Sequence, residues 1–261
     1  MPPQTSSFFT LPRELRDEVY GYLLPFSQPV PSLQSLARQT FEADSTHYAH
    51  RMCGNSIVPL ALANRQIYFE VEDVTQRIAT SKALSKVQLD VAMFGQRIFL
   101  TFTHLPFSPH FFPKAGGPAR LNLDMDVNLR VGDTSLFFPE DANRYQHLWL
   151  KLGEIFFEGP EFRPYVASSR RPIKIDNLDM KMVFLDVYTP STHMQCAMNI
   201  LADLRMTASC GLWDGYVDNI SFQALRQSEE ESEQYLMQPA KIQMSGARSG
   251  HDSALTGPYP I

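Results

Sequence analysis

The stretch Leu121–Val131 constrains the fold more than any other part of this chain. Leu121, Leu123, Met125, Val127, Leu129 and Val131 alternate with Asn122, Asp124, Asp126, Asn128 and Arg130. Side chains on a β-strand point to opposite faces in turn, so this is a strand with one dry face and one wet face. A sheet built on it carries its helical layer on one side only, since strands covered on both faces read as continuous apolar runs.

The flanking segments fit such a sheet. Val87, Leu89 and Val91 alternate with polar partners, and Ile98 to Phe102 follows Gly95, which predicts a hairpin. A helix is expected over residues 140–158, with the stripe Tyr145, Leu148, Leu152 and Ile155 and a stop at Gly159-Pro160. Leu178, Met180, Met182 and Phe184 mark the next strand. Ser191 or Thr192 can cap a further helix carrying Met194, Ala197, Met198, Leu201 and Leu204, and Val217 to Phe222 reads as the last strand. Strand–helix–strand–helix–strand implies two right-handed crossovers. When both step the same way, both helices fall on one face.

Upstream lie two helical patterns. Leu11, Leu15, Val19, Tyr22 and Leu23 recur at helical spacing, with Arg13, Arg16 and Asp17 on the other side. Pro12 suits a first turn and Pro25 stops the helix. The second stripe is Leu60, Ile67, Val71, Val74 and Ile78; it brings Asn64 to the same face, where a satisfied core amide is expected. The fold class is α+β: N-terminal helices over residues 1–80, then a two-layer mixed sheet with helices on one face over 83–225. Residues 227–261, with Glu229, Glu230, Glu231 and Glu233 ahead of Gly, Ser and Pro, are expected to form a flexible acidic tail.

Charge and length narrow the function. The chain has 261 residues and a net charge of −5, which argues against affinity resting on a phosphate backbone, so no nucleic-acid partner is expected. The longest apolar stretch, Ile57 to Ala63, is far short of the ~20 residues of a membrane helix, so no membrane association is expected either. No secretory signal is visible. Three cysteines, Cys53, Cys196 and Cys210, fit free thiols in a reducing compartment, cytoplasmic or nuclear. The acceptor pattern Asn219-Ile220-Ser221 is then expected to stay unmodified.

Catalytic patterns are missing. There is no Walker loop, no G-x-G-x-x-G and no G-x-S-x-G. Asp44, His47, His50 and Cys53 are zinc-ligand types, but steps of three drift by about 60° each on a helix, so no metal site is expected. Asp124 and Asp126 share one face of a strand, yet the polar alternation around them reads as a solvated sheet face, as do Asp176, Asp179 and Asp186. His193 and Cys196 read as a surface imidazole and a core thiol. The methionines at 180, 182, 194 and 198 read as core filling, and Trp149 and Trp213 as packing. The loop with Phe107, Phe111 and Phe112 also reads as packing before a stacking platform, and is still the leading candidate for an exposed apolar patch. No catalytic residue, metal or cofactor is expected.

One likeness gives a lead. The segment Phe9–Leu24, FTLPRELRDEVYGYLL, resembles the opening helix of F-box domains, and in particular fungal F-box-like proteins of uncharacterised function that begin LPxELRxxIYxYLL. Those continue with a helix of the type LLxxNRQIxxE, to which Pro59–Val74, PLALANRQIYFEVEDV, is similar. The two blocks cover roughly 30 residues. The resemblance implies an interaction protein in which Leu11, Pro12, Leu15, Val19 and Leu23 dock on the Skp-type adaptor of a cullin–RING ubiquitin ligase while the rest of the chain receives an unknown protein substrate. The alternative is a small-ligand-binding or enzymatic α/β domain whose F-box-like helices serve only as packing, with Leu15, Val19, Ile67 and Val71 in one core.

Overall fold

The computed structural model describes residues 8–37, 46–48, 57–80, 86–94, 97–107, 111, 121–132, 143–158, 173–185, 190–227, 233–235 and 240–244. After a 3-10 turn at Phe8–Thr10, the helices are α1 (Arg13–Leu23), α2 (Leu33–Ala37), α3 (Ile57–Ala63), α4 (Arg65–Thr80), α5 (Asn143–Glu158) and α6 (Pro190–Ser209). The strands are β1 (Phe26–Ser27), β2 (Thr46–Tyr48), β3 (Lys86–Phe94), β4 (Arg97–Leu105), β5 (Leu121–Val131), β6 (Ile173–Phe184), β7 (Val217–Gln227), β8 (Glu233–Tyr235) and β9 (Ala240–Gln243). Together they make a mixed α+β structure on one sheet, ordered β1-β4-β3-β5-β6-β7-β8, with β2 on β4 and β9 on β7.

The expected elements place the sheet. β3 and β4 form the antiparallel hairpin. β5, β6 and β7 run parallel in that order, joined by α5 and α6. Their dry face does most of the work of folding: Leu123, Met125, Val127, Leu129 and Val131 of β5 are all buried, in one cluster with Leu148, Trp149, Leu152, Ile155 and Phe156 of α5 and Ile200, Leu201 and Leu204 of α6. Each such side chain contributes roughly 1.5–3 kcal/mol by leaving water. Trp213, in the turn after α6, closes this layer edge-to-face on Trp149 and Phe156.

The turn after α6 depends on a backbone shape. Gly211 has φ +71° and its N–H donates to the Ala208 carbonyl, the arrangement by which glycine ends a helix. A Cβ there would lie 3.2 Å from Asp214 Oδ2. Gly211→Ala is expected to cost about 1–2 kcal/mol, read as a fall of a few degrees in thermal midpoint; an unchanged midpoint would show that the turn relaxes.

The structure departs from expectation in several of these elements. The second N-terminal helix breaks at Asn64, whose Oδ1 accepts from the Gln66 and Ile67 N–H groups at 2.8 and 3.3 Å; the amide is satisfied, as a cap on α4. Residues 233–235 and 240–243, expected in the acidic tail, instead pair antiparallel with β7. Short strands with few apolar residues give no periodic signal, and pairing to an existing edge forms them. Phe107 and Phe111 are buried rather than exposed, Phe107 in the sheet core and Phe111 among the N-terminal helices; Phe112 lies outside the described residues. His193 is buried, its ring stacked on Phe184 at 4.5 Å, so it is no surface imidazole, whereas Cys196 is buried as expected. No helix among the described residues is long and apolar enough to cross a membrane.

Candidate interaction surface

α1, α3 and α4 make a small core of their own, from Tyr20, Leu24, Ile57, Ala61, Ile67, Val71 and Val74 with Phe111, which meets the sheet core through Ile78. An amphipathic helix ordinarily turns its apolar stripe inward. α1 does the reverse. Its buried residues are Arg16 and Tyr20. Leu15 is 47% exposed, Leu11 38% and Val19 37%, and Tyr22 stands out at 79%.

The inversion is electrostatic. Glu70 of α4 sits on the buried side of its helix, next to Val71 and one turn from Ile67 and Val74. Its Oε1 accepts from Arg16 Nη2 at 2.7 Å and from Gln66 Nε2 at 2.9 Å. Its Oε2 accepts from Arg16 Nε at 3.0 Å and from the Tyr20 hydroxyl at 2.8 Å. This two-pronged guanidinium–carboxylate contact is the strongest geometry available to such a pair. The Arg16 guanidinium holds the Glu70 carboxyl down to about 2, against the opposing effect of burial. Burial, with Glu70 beside it, pushes the Tyr20 phenol well above its ordinary range.

A second ring of charge surrounds the first. Arg13 pairs with Asp17 in α1 and with Asp73 in α4, and Arg77 reaches back from α4 to Asp17. Three cations and three anions therefore clamp α1 to α4 with no net charge. Arg16 Nη1 also donates to the Leu11 carbonyl at 2.6 Å, which fixes the chain ahead of the helix and holds Leu11 beside Leu15. With the charged face used for folding, the apolar face is left outward.

Of the five candidate contact residues, Leu11, Pro12, Leu15 and Val19 are on the exposed side, while Leu23 packs against the small core. The joint burial of Leu15, Val19, Ile67 and Val71 does not occur: only Ile67 and Val71 are buried. The two sequence blocks meet in space, through Arg16 of one and Glu70 of the other. Sequence reasoning missed Arg16, Tyr20 and Glu70. The signal was an acid set between Ile67, Val71 and Val74 of an apolar stripe.

Asp44, His50 and Cys53 lie outside the described residues; His47 falls on β2, paired with β4. No group of three metal-ligand side chains occurs among the described residues. On the wet face of the sheet a cleft of about 440 Å³ includes Gln88, Asp126, Asn128, Asp179 and Ser221. Of its carboxylates Asp126 pairs with Lys86 at 2.9 Å; neighbouring Asp124, outside the cleft, accepts from Asn177 Nδ2 at 2.9 Å. Asp176 faces Lys174; Asp186 lies outside the described residues.

No family model, curated protein or solved structure matches this chain.

Proposed function

We propose that this is a non-enzymatic protein-interaction protein whose α1 stripe inserts into an apolar groove of a partner. One observation carries the reading: Leu11, Leu15 and Val19 are displayed to solvent by a helix whose polar face is spent on Glu70. Exposed large apolar side chains at helical spacing are the anchors of helix-in-groove recognition. The F-box-like blocks point to a Skp-type adaptor as that partner, with the sheet domain left to receive a protein substrate. The free cysteines support a cytoplasmic or nuclear setting for such a complex.

Calorimetric titration of the full chain with a purified Skp-type adaptor tests this. The double variant Leu15→Asp/Val19→Asp is expected to weaken binding about 100-fold or more, as for anchor residues at an interface centre. Its melting temperature is expected to fall by only a few degrees, because Leu15 and Val19 are already 47% and 37% exposed. A wild-type chain that gives no heat with the adaptor, or a variant that binds equally well, overturns the proposal.

A further inference from the structure

The wet face of the sheet goes against the preferences of its own strands. Strand register aligns its side chains in rows that cross the sheet. One row is Lys86, Asp124, Asn177 and Asn219. The next is Gln88, Asp126, Asp179, Ser221 and Lys241, and the third is Asp90, Asn128, Lys181 and Gln223. All are polar, and seven of the thirteen are Asp or Asn. Those two residue types are depleted in strands, where β-branched and aromatic side chains fit best, and none of the latter stands in the three rows. A face that merely met water would take threonine at less cost. Departures from local preference collect where a surface has a use beyond folding.

The short side chains leave room above the strands. The cleft of about 440 Å³ adjoins a second hollow of about 470 Å³, and Asp179 and Ser221 line both. The second takes in Lys86, Asp124, Asn177, Asn219 and Lys241. Each is of the size that holds a small ligand. The middle row runs from β3 through β5, β6 and β7 to β9, a trough of roughly 19 Å at the usual strand spacing.

We infer that this trough binds a neutral, hydroxyl-rich ligand: a saccharide, free or carried on a protein. Charge is the first reason. Asp90 is matched by Arg130. Among the other charged groups of the two hollows, Lys86, Lys181 and Lys241 balance Asp124, Asp126 and Asp179. No net field draws in a phosphate or a polyamine. Hydrogen bonding is the second reason. Asn219 Nδ2 donates to Asn177 Oδ1 at 3.4 Å and Asn177 Nδ2 to Asp124 at 2.9 Å, so donors and acceptors follow one another along a row. A hydroxyl both donates and accepts, and adjacent hydroxyls therefore satisfy both kinds of group at once. Asn128 Oδ1, buried in the cleft wall, accepts from no donor among the described residues. The amide's hold on Asp90 is long, at 3.3 Å, and a small turn of it brings that oxygen to a ligand O–H. The third reason is what the lining lacks. No aromatic ring stands among the described residues of either hollow, so a flat base has nothing to stack on and the ligand is held by its hydroxyls. An extended peptide adds to a sheet edge, and the β7 edge is taken by β8 and β9. No described residue of α1 lines either hollow, so this site and the adaptor surface stand or fall separately.

A glycan array probed with the full chain, then calorimetric titration with the neutral oligosaccharide it retains best, reads the site. Neutral glycans are expected to bind, with an affinity unchanged between low and high salt. Asp179→Ala, where the two hollows join, is expected to weaken binding about 10-fold or more, the worth of hydrogen bonds to a charged acceptor. Its melting temperature should stay near wild type, because Asp179 is exposed. Ser221→Tyr sets a ring at the same junction, in a residue that suits a strand, and is expected to abolish binding. A free oligosaccharide that binds as tightly as the same glycan on a protein assigns the saccharide alone. Tighter binding to the glycoprotein, lost when its glycan is removed enzymatically, assigns the protein-borne form. A chain that retains no neutral glycan overturns the inference. So does one that prefers sulfated or phosphorylated glycans with an affinity that falls as salt rises, or one whose binding survives both variants.

Discussion

Glu70→Ala is expected to lower the unfolding free energy by about 3 kcal/mol, the cost of removing one partner of a buried ion pair. The loss is large because the survivors are stranded. Arg16 keeps a guanidinium facing an apolar core, and the buried Tyr20 hydroxyl loses its acceptor. Urea unfolding measures it; a loss under 1 kcal/mol would show that water replaces the carboxylate freely. The acid response gives a sharper reading. Glu70 has its carboxyl depressed to about 2 from an ordinary 4.5, chiefly by the Arg16 hydrogen bonds. A depressed carboxyl adds stability that is complete above its unfolded value and is lost as pH falls through the folded one. Wild type should therefore lose stability between pH 4.5 and pH 2 more steeply than Glu70→Gln, which cannot titrate. Parallel curves would contradict the assignment. The adaptor binding proposed above should also fall in Glu70→Ala with Leu15 and Val19 intact, because the clamp is what turns them outward.

That clamp shows where reading the sequence stopped. The sheet was legible because its rules are local. Alternation in Leu121–Val131 demands a half-buried strand, and its polar face with crossovers that step the same way puts both helices on the other side; both are found. The apolar period of α1 was equally legible, but its direction was not. Periodicity tells which residues share a face and is silent on whether that face meets the core or the solvent. The answer lay 54 residues away, in the pairing of Arg16 with Glu70. A long-range ion pair has no period, so only the coincidence of an acid inside one apolar stripe and a basic side chain opposite another hints at it. The same limit hid the outward Met198 of α6, which is 47% exposed and does not fill the core. α6 is apolar on nearly every side, and a helix of that kind gives no sign of which side is covered.

The wet face of the sheet was read as solvated, and at one end it is not. Asp90 and Arg130 lie there under the segment that leads into α2. Arg130 Nε and Nη2 donate to the two Asp90 oxygens, each at 2.7 Å, and Nη2 also donates to the Pro31 carbonyl at 2.8 Å. α2 itself packs Leu36 on Ala92 and Phe99, so this short stretch covers a corner of the face opposite α5 and α6. Burial pushes the Asp90 carboxyl up in spite of Arg130, which means that desolvation outweighs the attraction of its partner. The two halves of the pair should then behave unlike their sum. Asp90→Ala alone is expected to cost about 3–5 kcal/mol, because the part-buried Arg130 charge loses its counter-ion. Asp90→Leu with Arg130→Met removes both charges and keeps the volume filled, and should come back to within about 1 kcal/mol of wild type or exceed it. Urea unfolding of the single and double variants decides the matter: a double variant that stays several kcal/mol below wild type would mean that the pair is a net source of stability. Recovery in the double variant would mean that its use is positional, holding the Pro31 carbonyl, and through it the chain between α1 and the sheet, in one place.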